Sequence, residues 1–157
     1  MNWNIVATAF VSSALGLSLY GGDFDLHREV EKANKQTLPF TAKLIEGSTD
    51  AKLTIEVDAE SFGTDEKAWG NLYIIANRIA GAFSEVGRDQ VGKDAIERDV
   101  KRVVIVKLPE GREDAVELKD HTVFVRSNAS DQAMIVLQNI IIAALEKALQ
   151  TGHPPTP

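Results

Sequence analysis

The side chains with chemistry to offer are few, and their spacing limits what they can do. His121 directly follows Asp120, an order in which a carboxylate can orient an imidazole for acid–base work. Asn77 and Arg78 interrupt an otherwise apolar run between Trp69 and Phe83, where the planar fork of a guanidinium could grip a carboxylate or phosphate. Arg78, Asn77, His121 and Asp120 are therefore the candidate ligand-binding set. No motif places a serine or threonine beside them as a nucleophile, so no catalytic residue is assigned. Plain structural roles compete with each. Asp120-His121 also suits a turn before a strand. Arg78 also suits the edge of a core, its stem packed or its charge paired with Asp65, Glu85 or a strand carboxylate.

The other polar groups offer less. His27 lies among Asp25, Arg28 and Glu29 without a convergent partner, and His153 belongs to a proline-rich tail. There is no His-Glu-x-x-His, no EF-hand loop and no cysteine, so thiolate metal sites, disulfides and a cysteine nucleophile are excluded. Asp89, Asp94, Glu97 and Asp99 cluster, but Arg88, Lys93, Arg98, Lys101 and Arg102 are interleaved with them. That is the pattern of surface ion pairing rather than of a hard-cation site. Gly81, Gly87 and Gly92 have the wrong spacing for a phosphate loop and lack the Lys-Ser/Thr that would follow one. No metal and no cofactor are expected.

Composition sets the frame around these residues. A chain of 157 residues with 44% hydrophobic content falls within the size of one domain and can bury a core. The net charge of −6 argues against a nucleic-acid partner, which would call for a basic face. The division expected is an apolar segment at 1–22, an α+β domain at 23–150 and a Pro-rich tail at 151–157.

Hydrophobic periodicity then supplies the elements. Residues 23–36 read as a short amphipathic helix or linker that Pro39 ends. Residues 40–46 and 52–58 read as two strands joined through Gly47-Ser-Thr-Asp50 in a hairpin. Thr64 is placed to cap a helix whose apolar face is Trp69, Leu72, Tyr73, Ala76, Ile79, Ala80 and Phe83, with Gly87 as its stop. A loop and a short helix fill 88–99. The run at 102–108 is the strongest strand and suits a central, doubly covered position. Residues 115–118 and 122–126 read as further strands. A last helix, capped by Asn128 or Ser130, covers 131–150 with Met134, Leu137, Ile141 and Leu145 on one side, and its width of apolar surface predicts near-complete burial. The fold expected is α+β: a two-layer sandwich with a mainly antiparallel sheet of four to five strands and two principal helices on one face.

The opening segment bears on location. No charged side chain occurs between Met1 and Gly22, and from Ile5 to Tyr20 the residues are apolar or small apart from a few hydroxyls. A secretory leader would want a basic n-region, which is missing, and a membrane anchor would want about 20 apolar residues. Export or membrane association through Ile5 to Tyr20 therefore stands level with a cytoplasmic protein that buries this segment in its fold or against a partner. With no catalytic constellation, the function expected is a non-catalytic binding or assembly module, associated with the cell envelope or a larger complex. Its partner would be another protein or a second copy of the chain. The alternative is a small hydrolase-type enzyme that folding assembles from His121, Asp120 and Arg78.

Overall fold

The computed structural model describes residues 25–151, and the segment at 1–22 and the end of the tail lie outside the described residues. The first described stretch is helical from Leu26 to Thr49. Asp25 caps it, its carboxylate accepting the Arg28 N–H at 3.2 Å. Helix α1 (Leu26–Lys32) passes through a π turn (Ala33–Thr37) into α2 (Leu38–Thr49). Pro39 is the second residue of α2 and does not end the helix. Proline lacks an N–H, and its ring crowds the carbonyl four residues back, so a straight α-helix would suffer there. The wider π turn immediately before it relieves that crowding.

The strand expected at 40–46 is thus a helix, and the hairpin with 52–58 does not form. Phe40, Ala42 and Leu44 alternate as strand residues do. The residues that α2 buries are instead Leu38, Thr41, Ile45 and Thr49, at spacings of three and four. Asp50 ends α2 in a left-handed conformation, its N–H reaching the Glu46 carbonyl at 2.9 Å.

Strand β1 (Thr54–Val57) leads through the short helix α3 (Ala59–Phe62) to α4 (Glu66–Val86) and α5 (Gln90–Asp99). Then come β2 (Arg102–Lys107), β3 (Ala115–Lys119), β4 (Thr122–Ser127) and α6 (Asp131–Thr151). The cap of α4 is Asp65 rather than Thr64, its side chain accepting the Ala68 N–H at 2.9 Å. Trp69, Leu72, Ala76, Ile79, Ala80 and Phe83 are buried as the periodicity predicts, and Ile75 joins them. Tyr73 is 56% exposed. The α6 residues Leu137, Ile141, Leu145 and Leu149 are buried, while Val136, Asn139, Ala143 and Glu146 are exposed, so α6 buries one side and not its whole surface. Among the described residues, no helix is long and apolar enough to cross a membrane.

The fold is α+β, with a four-stranded mixed sheet in the order β1-β2-β4-β3. Its strand β1 is parallel to β2, β2 is parallel to β4, and only β3–β4 is antiparallel. The expectation of a mainly antiparallel sheet is corrected for two reasons, the first being that β4 lies between β2 and β3, so that the β3–β4 hairpin returns parallel to β2. The second is that, once residues 40–46 are helical, β1 has no hairpin partner and pairs across the α3–α5 connection instead.

Two rows of side chains line up across all four strands. Ile55, Val103, Val123 and Leu118 form one row, and Val57, Ile105, Val125 and Val116 form the other. They lie on the sheet's buried face, and each fully buried aliphatic contributes about 1.5–3 kcal/mol. The opposite face carries Thr54, Glu56, Arg102, Phe124, Arg126 and Glu117, and it is laced by its own pairs. Arg102 meets Glu56 at 3.4 Å, Arg126 meets Glu117 at 3.2 Å, and the Arg126 guanidinium lies 5.2 Å from the Phe124 ring centre.

Candidate functional site

The four sequence candidates occupy two separate places. Asp120 and His121 are the central pair of the two-residue turn joining β3 to β4, with φ of 48° and 59°. Positive φ at both positions is the geometry of a type I′ hairpin turn. The His121 carbonyl accepts the Lys101 N–H at 2.8 Å, and its Nδ1 lies 3.1 Å from the Asp99 carbonyl. His121 therefore fastens the hairpin to the corner between α5 and β2.

Asn77 and Arg78 lie half-buried on α4. Arg78 has no carboxylate within ion-pairing distance among the described residues, and neither Asp65 nor Glu85 is its partner. Neither Arg78 nor His121 lines either of the two cavities beside α4. The acidic cluster of α5 is engaged locally. Asp89 caps the helix by accepting the Gly92 N–H, Asp94 accepts from Gln90, and Asp99 pairs with Arg98. Among the described residues no three potential metal ligands converge.

One polar tie connects the sheet to α4. Lys107, at the end of β2 and little exposed, lies 3.0 Å from the Asp65 carboxylate at the start of α4. The Ala68 N–H, and after it the Lys107 ammonium, hold the Asp65 carboxyl below the usual carboxylate range. A carboxylate lowered in the folded state stabilises at pH above its unfolded value, and that contribution is lost as pH falls through the folded value. Asp65→Asn keeps a capping oxygen but removes the charge. The variant is expected to be less stable than the parent at pH 7, the gap narrowing as acid protonates the Asp65 carboxylate, as urea melts at falling pH would register. A gap independent of pH would mean that the Lys107 pair contributes nothing.

An open, shallow cleft lies where α2 and α4 run side by side. They run in the same direction. Thr37 shares a small cavity of about 40 Å³ with Trp69 and Tyr73 near their beginnings, and Thr49 packs against Gly87 near their ends. Between them opens a groove of about 490 Å³. Helix α2 lines it with Lys43, Leu44, Gly47 and Ser48, and α4 with Asn77, Ala80, Gly81 and Ser84.

The groove has small residues along its length and apolar ones around it. Leu44 is 42% exposed, and Phe40, one turn before it, is 51% exposed. Tyr73 and Ile74 on α4 and Val136 on α6 are also exposed on the helical layer. No carboxylate lines the groove, and Lys43, its one charged residue, makes no ion pair among the described residues. A protein of net charge −6 thus presents a neutral-to-basic, apolar-rimmed groove on its helical side.

Of the sequence candidates, only Asn77 lines this groove. The α2 contribution was missed because residues 40–46 read as a strand. The available signal was Leu38, Thr41, Ile45 and Thr49 at helical spacing, which would have left Phe40 and Leu44 outside. Comparison with protein-family models, with curated proteins and with solved structures finds no match for the chain.

Proposed function

We propose that this protein is a non-catalytic binding or assembly module, and that the groove between α2 and α4 takes an apolar segment of polypeptide. The observation that supports this reading is the contrast between the two outer surfaces. On the open sheet face the charged residues Glu56, Arg102, Glu117 and Arg126 satisfy one another. On the helical layer Phe40, Leu44 and Tyr73 stay in water, and the groove beside Leu44 is lined by Gly47 and Ala80, with the Gln138 side chain of α6 lying over Gly81. Large apolar side chains beside small ones form ridges and hollows into which an apolar segment can interdigitate, as in helix-in-groove recognition. Clustered exposed apolar residues mark interaction surfaces more often than singly scattered ones do.

The test places a photo-crosslinking amino acid at Leu44 of the full chain in its native cell, with Lys119 on β3 as the comparison position. Adducts to a polypeptide from position 44, mapping to an apolar sequence and absent from position 119, are the expected result. Equal labelling at the two positions, or no polypeptide adduct at 44, would refute the proposal.

A further inference from the structure

We infer that α1 is a lid over an apolar site at the start of α4, held in register by the π turn and opening about that turn as a unit. The groove beside Leu44 plays no part in it. Three observations converge.

The first is register. The residues that α2 buries, Leu38, Thr41, Ile45 and Thr49, follow one another at steps of three and four. Upstream, Ala33 is buried, and Val30 and Leu26 pack against the core at the same helical steps. A step of five, from Ala33 to Leu38, joins the two stripes, and it is the π turn. An α-helix turns about 100° per residue, so a regular helix through this point would leave Leu26, Val30 and Ala33 about 100° out of line. The extra residue in the turn aims α1 at the core.

The second is weak attachment. Helix α1 contains no fully buried residue, and Leu26 and Val30 are only partly covered. Its ion pairs, Arg28 and Lys32 with Glu29 and Lys35 with Glu31, join neighbours in the same helical arm. Exposed pairs of this kind contribute little. Seven residues are also too few for a helix to persist alone in water, where about 12–15 are needed. Units with so few buried contacts open well before the core does.

The third is what lies beneath. Glu29 and Lys32 of α1 and Ala33 of the turn share the cavity of about 40 Å³ with Trp69, Leu72 and Tyr73 of α4. That volume admits water and nothing larger. Trp69 is 5% exposed and Leu72 3%. The Trp69 indole donates to the Gly63 carbonyl at 2.9 Å, and its ring centre lies 5.0 Å from that of Phe62, so the ring keeps its place when α1 leaves. Opening therefore uncovers Trp69 and Leu72 beside the exposed Tyr73, a site for an apolar or aromatic group that exists only in the open state.

Trp3→Phe leaves Trp69 as the single tryptophan, so acrylamide quenching in the full chain reads its shielding. Hydrogen exchange supplies a second readout. Amides 30–32 are expected to exchange at least about a hundredfold faster than those of β2. Val30→Asp should raise the quenching of Trp69 about twofold while exchange in β2 and β4 stays as in the parent. Deleting Gln36, exposed in the π turn, together with Pro39→Ala leaves a regular helix whose two stripes still align, so Trp69 stays shielded. Deleting Asn34 as well turns the α1 stripe about 100° away and should raise quenching as Val30→Asp does.

Amides 30–32 exchanging no faster than β2 would mean that α1 opens only with the whole fold, and would overturn the lid. Equal exposure of Trp69 in the single and the double deletion would overturn it too, because register would then be irrelevant. So would exchange that speeds up across the sheet of Val30→Asp as much as in α1. If Val30→Asp does not fold, the exchange of the parent and the contrast between the two deletions decide.

Discussion

Gly92→Ala is expected to destabilise the protein by about 3 kcal/mol, at the upper end of what overpacking costs. Gly92 lies in the first turn of α5, its N–H held by the Asp89 carboxylate at 2.8 Å. A Cβ there would lie 1.9 Å from the Val86 carbonyl oxygen and 3.0 Å from its carbon. The obstacle is backbone at the last residue of α4, not the tip of a side chain, so no rotamer change relieves it. To admit a methyl, α5 must move away from the end of α4, withdrawing Ala95 and the fully buried Ile96 from the core.

Gly70→Ala is the matched comparison. Gly70 is exposed on α4, and nothing lies within 4 Å of the Cβ it would gain. Glycine in a helix interior costs about 0.5–1 kcal/mol relative to alanine, so this substitution should stabilise by that amount. Urea titrations measure both as shifts in midpoint at unchanged slope. Opposite signs at the two glycines are the expected result, and a neutral Gly92→Ala would contradict the α4–α5 corner.

Phe83→Ala should cost about 3–5 kcal/mol, a large share of the 5–15 kcal/mol that holds a typical domain folded. Phe83 is 0% exposed near the end of α4. Its carbonyl also accepts the Gly87 N–H at 2.8 Å where the helix stops. Removing the ring takes away the apolar area it buries and leaves a cavity that the packed neighbours only partly collapse into. Val91→Ala, at a position 78% exposed on α5, should stay within about 0.5 kcal/mol. A comparable loss at both positions would mean that α4 does not carry the core assigned to it.

The two glycines illustrate where reading by type and spacing stops. Gly87 and Gly92 were legible as residues unsuited to a phosphate loop, and Gly87 also as a helix stop. Their packing role was not legible, because a missing Cβ matters only where another backbone comes close. Thr49 of α2 approaches Gly87 from 38 residues away in sequence, and no local pattern encodes that meeting. The turn at Asp120-His121 has the same character. Its residue types suggest acid–base chemistry as readily as a corner, and only pairing of β3 with β4 gives both residues positive φ.

What the sequence determined by itself was what repeats locally. The three-and-four spacing of Trp69, Leu72, Ala76, Ile79 and Phe83 makes a helix with one buried face, whatever it packs against. The compact run from Val103 to Val106 and the alternation of β4 make strands. The missing cysteines exclude disulfides and thiolate sites without reference to any fold. Tertiary structure alone decided which of two periods governed residues 40–46. Phe40, Ala42 and Leu44 offered period two and Leu38, Thr41, Ile45 and Thr49 offered period 3.6, and packing of α2 beside α4 selected the second. The same choice removed the hairpin partner of β1 and left Leu44 and Phe40 exposed. Apolar side chains on a binding surface look, in sequence, the same as those in a core. The difference is which side of the helix meets the rest of the molecule, and that is a property of the assembled layers.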